Sequence, residues 1–451
     1  MIYKIFSSKD TFITNYLLNG IQRTGSNFGA CEILHLFKET GNNLTSSLGR
    51  ILTIFDLQNL SSSMSRGEIP GNAAFFLKLS DAQHDQTLPT SFDIEVQAVS
   101  QQWDEGTGFD VDTFADKGFA NWIMAKSNSA WTIPGASGTG SISVAHFDSG
   151  HENLEVDVTN IVNSWLSGTV QNNGFLVKLS SSLEVGSQDY YIKMFHGRET
   201  FFKDKRPCIE VRWDDSVKDD RNNFFFDLTG SLKLQNVVRG KLQDIQGING
   251  QLGVSITDVY ASSTLSTFTG SRGSTVGLYE VNFAIPSGQY SGSLFRDTWF
   301  NLANTGSVFM TGTFNVLQNN PVSDISPKRY YVNVTNLKNS YTTNEKARLN
   351  LFVRPNDYNP ARQLTASLDA NGTVITNGYY QIENDRTDEV VIPFSTGVIE
   401  YTRLSYDQKG NYFNLNMSSL SPGNVYRIVF LFDVDGQQQY LTDAGLKFRV
   451  I

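Results

Sequence analysis

Cysteine is scarce in this sequence, and its scarcity narrows the classes of protein to which the chain can belong. Of 451 residues only two are cysteine, Cys31 and Cys208, and they lie far apart. Two isolated cysteines exclude a disulfide framework and a cysteine-rich metal site. Cys208 lies in a predicted strand, so we interpret it as a small buried apolar residue rather than a reactive thiol. A Cys31–Cys208 disulfide stays open as an alternative.

Charged residues and long apolar runs are also few. Charged residues make up 18% of the chain, and the net charge is −9. No run of lysine or arginine forms a basic stripe, so we expect no nucleic-acid partner. No stretch approaches the roughly 20 consecutive apolar residues of a membrane span, so we expect no membrane insertion.

The first residues lack the features of an export signal. The segment Met1–Phe6 already has the pattern of a strand. It has no charged amino-terminal region, no apolar core and no cleavage site of small residues. We therefore expect no signal peptide, and we expect synthesis and folding in a cytoplasm.

Motifs that carry chemistry are missing as well. The sequence contains no phosphate-binding loop, no dinucleotide-binding glycine pattern and no G-x-S-x-G motif in the required context. The five histidines never occur at the spacing of metal ligands. The sequence therefore predicts a protein that is not an enzyme and holds no cofactor.

Aromatic and turn-forming residues are abundant in the sequence. The chain has 31 Phe, 18 Tyr and 37 Gly, a composition that favours an all-β fold. Short apolar runs alternate with turn clusters, and Arg50–Leu57 is the run around which the first region is organised. One amphipathic helix is predicted at Val158–Trp165, where apolar residues recur at helical spacing.

Two polar stretches divide the chain into three predicted domains. Residues 214–222 are polar and strandless, and residues 319–327 carry two prolines. We predict a jelly-roll-like β-sandwich at 1–215, followed by immunoglobulin-like β-sandwiches at 223–320 and 328–451. Asp435-Gly436 predicts a hairpin turn in the third domain.

The order of several segments in 1–213 resembles the DNRLRE, or disaggregatase-related, β-sandwich family. The segments that carry the resemblance are Asp10–Ile13, Arg50–Leu57, Ala73–Leu77, Val99–Gly106, Asp157–Phe175, Phe195–Glu199 and Arg206-Pro207. Gly197 stands where the family motif has serine. The resemblance implies a β-sandwich with a role in polysaccharide binding, and it covers less than half of the chain.

Three tryptophans beside a glycine-rich, loop-prone segment are candidate binding residues. Trp103, Trp122 and Trp131 are expected to stack on sugar rings if their faces are exposed. The alternative is that they plug the open end of the sandwich. The sequence leaves both alternatives open.

Five carboxylates lie near these tryptophans. They are Asp104, Glu105, Asp110, Asp112 and Asp116. Clustered loop carboxylates can hold calcium, although the spacing of an EF-hand is missing. The alternatives are ordinary solvated loop acids and an acid–base pair of a glycosidase.

These features lead to a functional hypothesis. DNRLRE-like and immunoglobulin-like domains in a chain without an export signal look like a structural protein of a tailed-phage virion, at the neck, tail or capsid surface. Such a protein is assembled in the host cytoplasm in several copies and binds other virion proteins and itself. Contact with a cell-surface polysaccharide is a further expectation. The alternative functions are a carbohydrate-binding adhesion module with spacer domains and, with least support, a polysaccharide-degrading enzyme.

Overall fold

The computed structural model describes residues 1–41, 46–85, 87–111, 116, 118–273, 275–290, 292–319, 328–356 and 372–451. The chain divides into two compact units. The N-terminal unit consists of Tyr3–Ser65 and Asn72–Arg212, and the C-terminal unit consists of Met1–Ile2, Arg66–Gly71 and Trp213–Ile451. No helix in the described part of the chain is long and apolar enough to cross a membrane.

The first fourteen strands build the N-terminal unit. They are β1 Ile2–Thr14, β2 Leu17–Leu18, β3 Ile21–Gln22, β4 Ile33–Thr40, β5 Ser46–Phe55, β6 Ala74–Leu79, β7 Phe92–Val99, β8 Met124–Lys126, β9 Ser129–Ala130, β10 Gly138–Phe147, β11 Leu154–Asp157, β12 Phe175–Leu179, β13 Tyr190–His196 and β14 Cys208–Arg212. Ten of them form one sheet in the order β10-β7-β12-β5-β1-β14-β6-β11, with β4 beside β5 and β13 beside β4. β2 pairs with β3, and β8 pairs with β9.

β5 is central in this sheet, as its apolar sequence predicts. It pairs with β1 on one side and with β12 on the other, so that Leu52 lies opposite both Thr11 and Leu176. Ile51 and Leu52 are fully buried. A strand that is paired along both edges and buried on both faces has a continuous apolar sequence rather than an alternating one.

In the described part of the N-terminal unit, α-helices connect several strands: α1 Gln58–Ser65, α2 Thr159–Leu166 and α3 Ser181–Val185. The structure confirms the amphipathic helix, since Ile161, Val162 and Trp165 of α2 are buried. The sequence from Ser61 to Gly67 is rich in serine and glycine, which predicts a loop, whereas the structure has α1 up to Ser65. The Asp56 carboxylate accepts a hydrogen bond from Gln58 N at 2.9 Å, and the burial of Leu60 holds the helix in place.

The C-terminal unit begins with a seven-stranded sheet. Its region contains β15 Phe224–Phe225, β16 Thr229–Gln235, β17 Val237–Val238, β18 Lys241–Leu242, β19 Gln251–Asp258, β20 Thr264–Arg272, β21 Leu278–Ala284, β22 Leu294–Asn301 and β23 Asn304–Leu317. The sheet order is β15-β23-β22-β19-β20-β21-β16, and β17 and β18 form a separate hairpin. Side chains from across the sheet share one core, in which Phe224, Tyr279 and Trp299 are fully buried. The sheet therefore wraps around its own core in a barrel-like manner.

Two further sheets complete this unit. Their strands are β24 Tyr330–Val334, β25 Ser340–Tyr341, β26 Lys346–Pro355, β27 Gly378–Asn384, β28 Val390–Ile392, β29 Ser405–Asp407, β30 Gly410–Asn416, β31 Val425–Val434 and β32 Gln437–Val450. The orders are β24-β26-β30-β29 and β25-β32-β31-β27-β28. Tyr380 of one sheet stacks on Phe413 of the other at 4.2 Å, so the two sheets pack face to face as a β-sandwich. The predicted Asp435-Gly436 turn is confirmed, with φ of 53° and 76° at its two residues. The all-β fold class is confirmed.

Residues 214–222, which the sequence predicts as a linker, are tied into the C-terminal unit. A 3₁₀-helix spans Asp220–Asn222, and Arg221 is only 4% exposed. Tyr406 donates a hydrogen bond to the Asp220 carboxylate at 3.0 Å. Polar residues can be buried here because they satisfy one another, which composition alone does not reveal. Most of the second predicted linker, residues 320–327, lies outside the described residues.

Candidate functional site

The structure places the three candidate tryptophans in a buried cluster of the N-terminal unit. Trp103, Trp122 and Trp131 are 5%, 8% and 5% exposed. Trp103 Nε1 donates to the Asn173 carbonyl at 2.9 Å, and Trp131 Nε1 donates to the Asn121 carbonyl at 2.7 Å. Stacking on a sugar requires an accessible ring face, and none of the three has one. The burial supports the alternative in which these rings plug the sandwich, and sugar binding through them has no structural support.

Those of the five candidate carboxylates that the structure describes do not converge on one point. Asp104 is half-exposed and lies 3.9 Å from Lys9 Nζ, whereas Glu105 forms an ion pair with Arg198 at 3.0 Å. Asp112 lies outside the described residues. The part of the chain that the structure describes holds no group of three or more potential ligands placed to bind a metal ion.

Three segments of the DNRLRE resemblance instead meet in one polar network. Asp10 N donates to Glu105 Oε1 at 2.7 Å, and Arg198 N donates to Asp10 Oδ2 at 2.6 Å. The Arg198 guanidinium then pairs with the Glu105 carboxylate. Each of the three residues lies in one of the segments that resemble the DNRLRE family, so the sequence did indicate these positions. Their mutual contact was missed because they are distant along the chain.

Burial has the largest effect on the pKa values of the two acids in this network. Burial raises the pKa of Asp10 to about 7, although the hydrogen bond from Arg198 N opposes the shift. Burial also raises the pKa of Glu105. A glycosidase needs its acid pair at an open cleft. Asp10 is 1% exposed and neither acid lines the pocket described below, so the network has the position of a structural clamp.

Asp10→Asn is expected to change how stability depends on pH. A carboxyl whose pKa is raised from 3.8 to about 7 adds stability below pH 3.8, and that stability is lost as the pH rises through 7. An asparagine does not titrate. Relative to wild type, the free energy of unfolding of the variant should therefore rise between pH 4 and 8, by up to roughly 4 kcal/mol.

Urea denaturation at several pH values measures this difference. Asp104→Asn, at a half-exposed loop carboxylate, is the matched control and should show a nearly constant difference from wild type. A constant difference for Asp10→Asn would show that Asp10 is ionised in the folded protein across this range.

Asn27 extends the clamp to the neighbouring loops. Its side-chain nitrogen donates to the carbonyls of Glu105 and Ala120, both at 2.7 Å. Its side-chain oxygen accepts from Gly29 N and Gly108 N. A Cβ on Gly106 would lie 2.3 Å from the same oxygen, so only glycine fits there. The segments 27–33 and 104–111 are thereby held against each other.

A pocket of about 610 Å³ lies between these segments and the outer face of β4. It is lined by Phe12, Thr14, Tyr16, Phe28, Ala30, Cys31, Glu32, Ile33, His35, Phe37, Glu39, Phe109, Asp110, Val111 and Ile192. Alternate residues of β4 face the pocket, while Leu34 and Leu36 between them are fully buried in the core. The volume falls in the range of about 300–1,000 Å³ that is typical of small-molecule sites. We call this feature the aromatic pocket.

Stacked rings form the floor of the aromatic pocket. Phe12 stacks on Phe28 at 4.0 Å and on the His35 imidazole at 4.8 Å. Tyr16 meets Phe37 edge-on at 6.1 Å. Phe109 on the loop side is 62% exposed. Phe12, Phe28 and Phe37 are only 4%, 3% and 5% exposed, so the aromatic surface that the pocket offers to a ligand comes from Phe109, Tyr16 and His35.

The charged side chains around the pocket are all acidic. Glu32, Glu39 and Asp110 contribute carboxylates, and no lysine or arginine is among the described residues that line it. Burial, helped by His84, lowers the pKa of His35 to about 4, so the imidazole is neutral at pH 7. Burial raises the pKa of the Cys31 thiol to about 11, which removes it as a nucleophile at neutral pH. Both cysteines are free, so the Cys31–Cys208 disulfide is not formed.

No protein-family model and no curated protein matches the sequence. The resemblance to the DNRLRE family therefore stays a prediction.

A search of solved structures gives matches of low TM-score. They include Bacteroides uniformis β-glucuronidase 3, at 10% identity over 63% of this chain with a TM-score of 0.13, and Parabacteroides merdae β-glucuronidase, at 11% over 74% with a TM-score of 0.17. The matches cover only 27% and 37% of those two enzymes. The three N-terminal domains of the bacteriophage RB49 highly immunogenic outer capsid protein match at 10% identity, over 99% of this chain and 98% of theirs, with a TM-score of 0.15. Scores this low carry no argument about function, which must be argued from the geometry.

Proposed function

We propose that this chain is a non-enzymatic structural protein of a phage particle, located at the neck, tail or capsid surface. In this role it binds other virion proteins and further copies of itself. The observation that carries the proposal is the buried joint around Arg221 in the C-terminal unit. There Arg221 pairs with Asp297 of the seven-stranded sheet and donates to the Lys233 carbonyl of that sheet. Tyr406 of the four-stranded sheet donates to the neighbouring Asp220 carboxylate, so this segment links two sheets within the unit. A fixed joint suits a spacer that has to hold a constant distance within an assembly.

An unprotected strand supports self-association. β23 is fourteen residues long and contains no charged residue. β15 pairs with it only at Val316 and Leu317, and Val308 and Phe309 are exposed. Natural proteins usually place lysine, proline or a bulge on such strands to prevent pairing with another chain. Between Asn304 and Met310 the strand has irregular pairing with β22 but neither lysine nor proline, and this lack of both residues favours a partner strand at this position.

Val308→Lys is expected to weaken self-association of the full chain. A lysine on this strand opposes pairing with a second strand through charge and desolvation. Sedimentation velocity over a concentration series measures the effect. Val398→Lys is the matched control because Val398 is a fully exposed valine of the same unit. A wild type that stays monomeric at every concentration, or a Val308→Lys variant that associates as wild type does, would contradict the use of this strand.

Co-purification with particles tests the function itself. Phage particles from the source of this sequence are banded on a density gradient, and the chain is followed by immunoblot. We expect it in the particle band, resistant to a wash at high salt. Recovery only at the top of the gradient would reject the structural role.

The aromatic pocket favours a second candidate function, a carbohydrate-binding adhesion module with spacer domains. An array of cell-surface glycans, probed with the full chain, tests this candidate. Binding that is lost in Phe109→Ala supports it, and an array without signal removes it.

A further inference from the structure

We propose that the aromatic pocket binds a ligand that carries an ammonium group on a compact apolar or sugar body. This assignment goes beyond the structural role proposed above and holds whether or not the chain is part of a particle.

The aromatic surface of the pocket provides the first part of the argument. Phe109, Tyr16 and His35 line it with accessible rings, and the His35 imidazole stacks on the buried ring of Phe12. The negative faces of aromatic rings attract cations within about 6 Å of the ring centroid, and such rings are used to bind quaternary ammonium groups. They also pack against the apolar face of a sugar ring.

The charge distribution provides the second part. Glu39 lies on β4, on the same wall of the pocket as His35, and Glu32 lies directly before β4. Asp110 lies on the facing loop. With acidic residues as the only charged side chains among the described lining, the pocket is complementary to a cation and opposes an anion. The negative electrostatic potential of the pocket therefore excludes uronic acids and other acidic sugars as ligands.

The rigidity of the walls provides the third part. Asn27 joins the loops through hydrogen bonds to the carbonyl of Glu105 and from the amide of Gly108. Cys31 Sγ also donates to the Phe109 carbonyl at 3.3 Å. A pocket whose walls are fixed before binding loses less entropy when its ligand enters.

Two sources supply this chemistry: a choline group on a surface polymer and an amino sugar of a glycan. Isothermal titration calorimetry of the full chain with choline and with glucosamine distinguishes them. The neutral isosteres are 3,3-dimethylbutan-1-ol for choline and glucose for glucosamine. We expect one cation to bind saturably, at least about tenfold more tightly than its isostere, and to weaken as salt is added. The cation that binds identifies the source.

Variants of the pocket link the binding to this site. Phe109→Ala and Glu39→Gln should each weaken the binding about fivefold to tenfold, with an unchanged circular dichroism spectrum. Phe201→Ala is the matched control, since Phe201 is an exposed phenylalanine of the same unit outside the pocket, and it should bind as wild type does.

Three results would overturn the assignment: no heat from either cation, equal affinity for the neutral isosteres, or full binding by both pocket variants. None of these results bears on whether the chain bands with particles, so failure of the ligand assignment is distinguishable from failure of the structural role.

Discussion

Replacing Arg221 by methionine is expected to reduce the free energy of unfolding of the C-terminal unit by about 3–5 kcal/mol. The guanidinium pairs with the buried carboxylates of Asp219 and Asp297, and it donates to the Lys233 carbonyl at 2.7 Å. Methionine fills similar space but leaves two buried carboxylates without their cation. Removal of one partner from a buried ion pair is costly because the remaining charge has lost its water as well as its partner.

Denaturation by urea, followed by intrinsic tryptophan fluorescence, measures this loss. Trp299 is one of the six tryptophans of the chain, and its Nε1 donates to the Asp297 carboxylate at 2.8 Å. Arg272→Met is the matched control, since its ion pair with Asp244 is exposed at the surface. It should cost at most about 1 kcal/mol.

The pH dependence of the Arg221→Met variant gives a second check. Burial already raises the pKa of Asp219 to about 6, despite the neighbouring guanidinium. A raised carboxyl pKa makes the folded state more stable at low pH, and that stability is lost as the pH rises through the folded pKa. The variant should therefore be less destabilised at pH 5 than at pH 8. An equal loss at both values, or a loss no larger than that of Arg272→Met, would mean that the joint is solvated.

Trp103→Ala is expected to reduce the free energy of unfolding of the N-terminal unit by about 3–5 kcal/mol. The ring lies in one core cluster with Trp122 and Trp131 and donates to the Asn173 carbonyl. Removal of the ring leaves a cavity that the surrounding strands cannot fill. Chemical denaturation of wild type and variant measures the loss.

Phe201→Ala is the matched control for this prediction. Phe201 is 86% exposed, and its loss should change stability by no more than about 0.5 kcal/mol. If Trp103→Ala proves equally neutral and instead abolishes binding to a glycan, the ring is a surface platform and its assignment to the core is wrong.

Local pattern was sufficient to predict much of the sheet structure. The apolar run of β5 and the helical spacing of Ile161, Val162 and Trp165 both reflect burial by immediate neighbours. The sequence did not predict α1 because its serine-rich segment has little apolar periodicity. The helix is stabilised by the burial of Leu60 and by the Asp56 carboxylate at its N-terminus. β1 was predicted to end at Phe6 but extends to Thr14. Its polar middle is accommodated by Arg198, which is distant in sequence.

The candidate site was harder to predict because its parts come from separate regions of the chain. The alternation of His35 and Phe37 in β4 is visible in the sequence, whereas the approach of Phe12, Phe28 and Phe109 is a property of the folded unit. The same limitation explains the tryptophans. Proximity to a glycine-rich loop is compatible with an exposed ring or a buried one, and only the packing around Trp103 and Trp131 decides between them.

The copy number of the chain in purified particles tests the central claim most directly. Quantitative mass spectrometry with isotope-labelled peptides, calibrated against the major capsid protein, gives that number. The structural role predicts a fixed stoichiometry that matches a ring or vertex symmetry of the particle, since virions are built from repeated copies. A variable trace amount in particles, with the bulk of the chain in the soluble lysate, would contradict it.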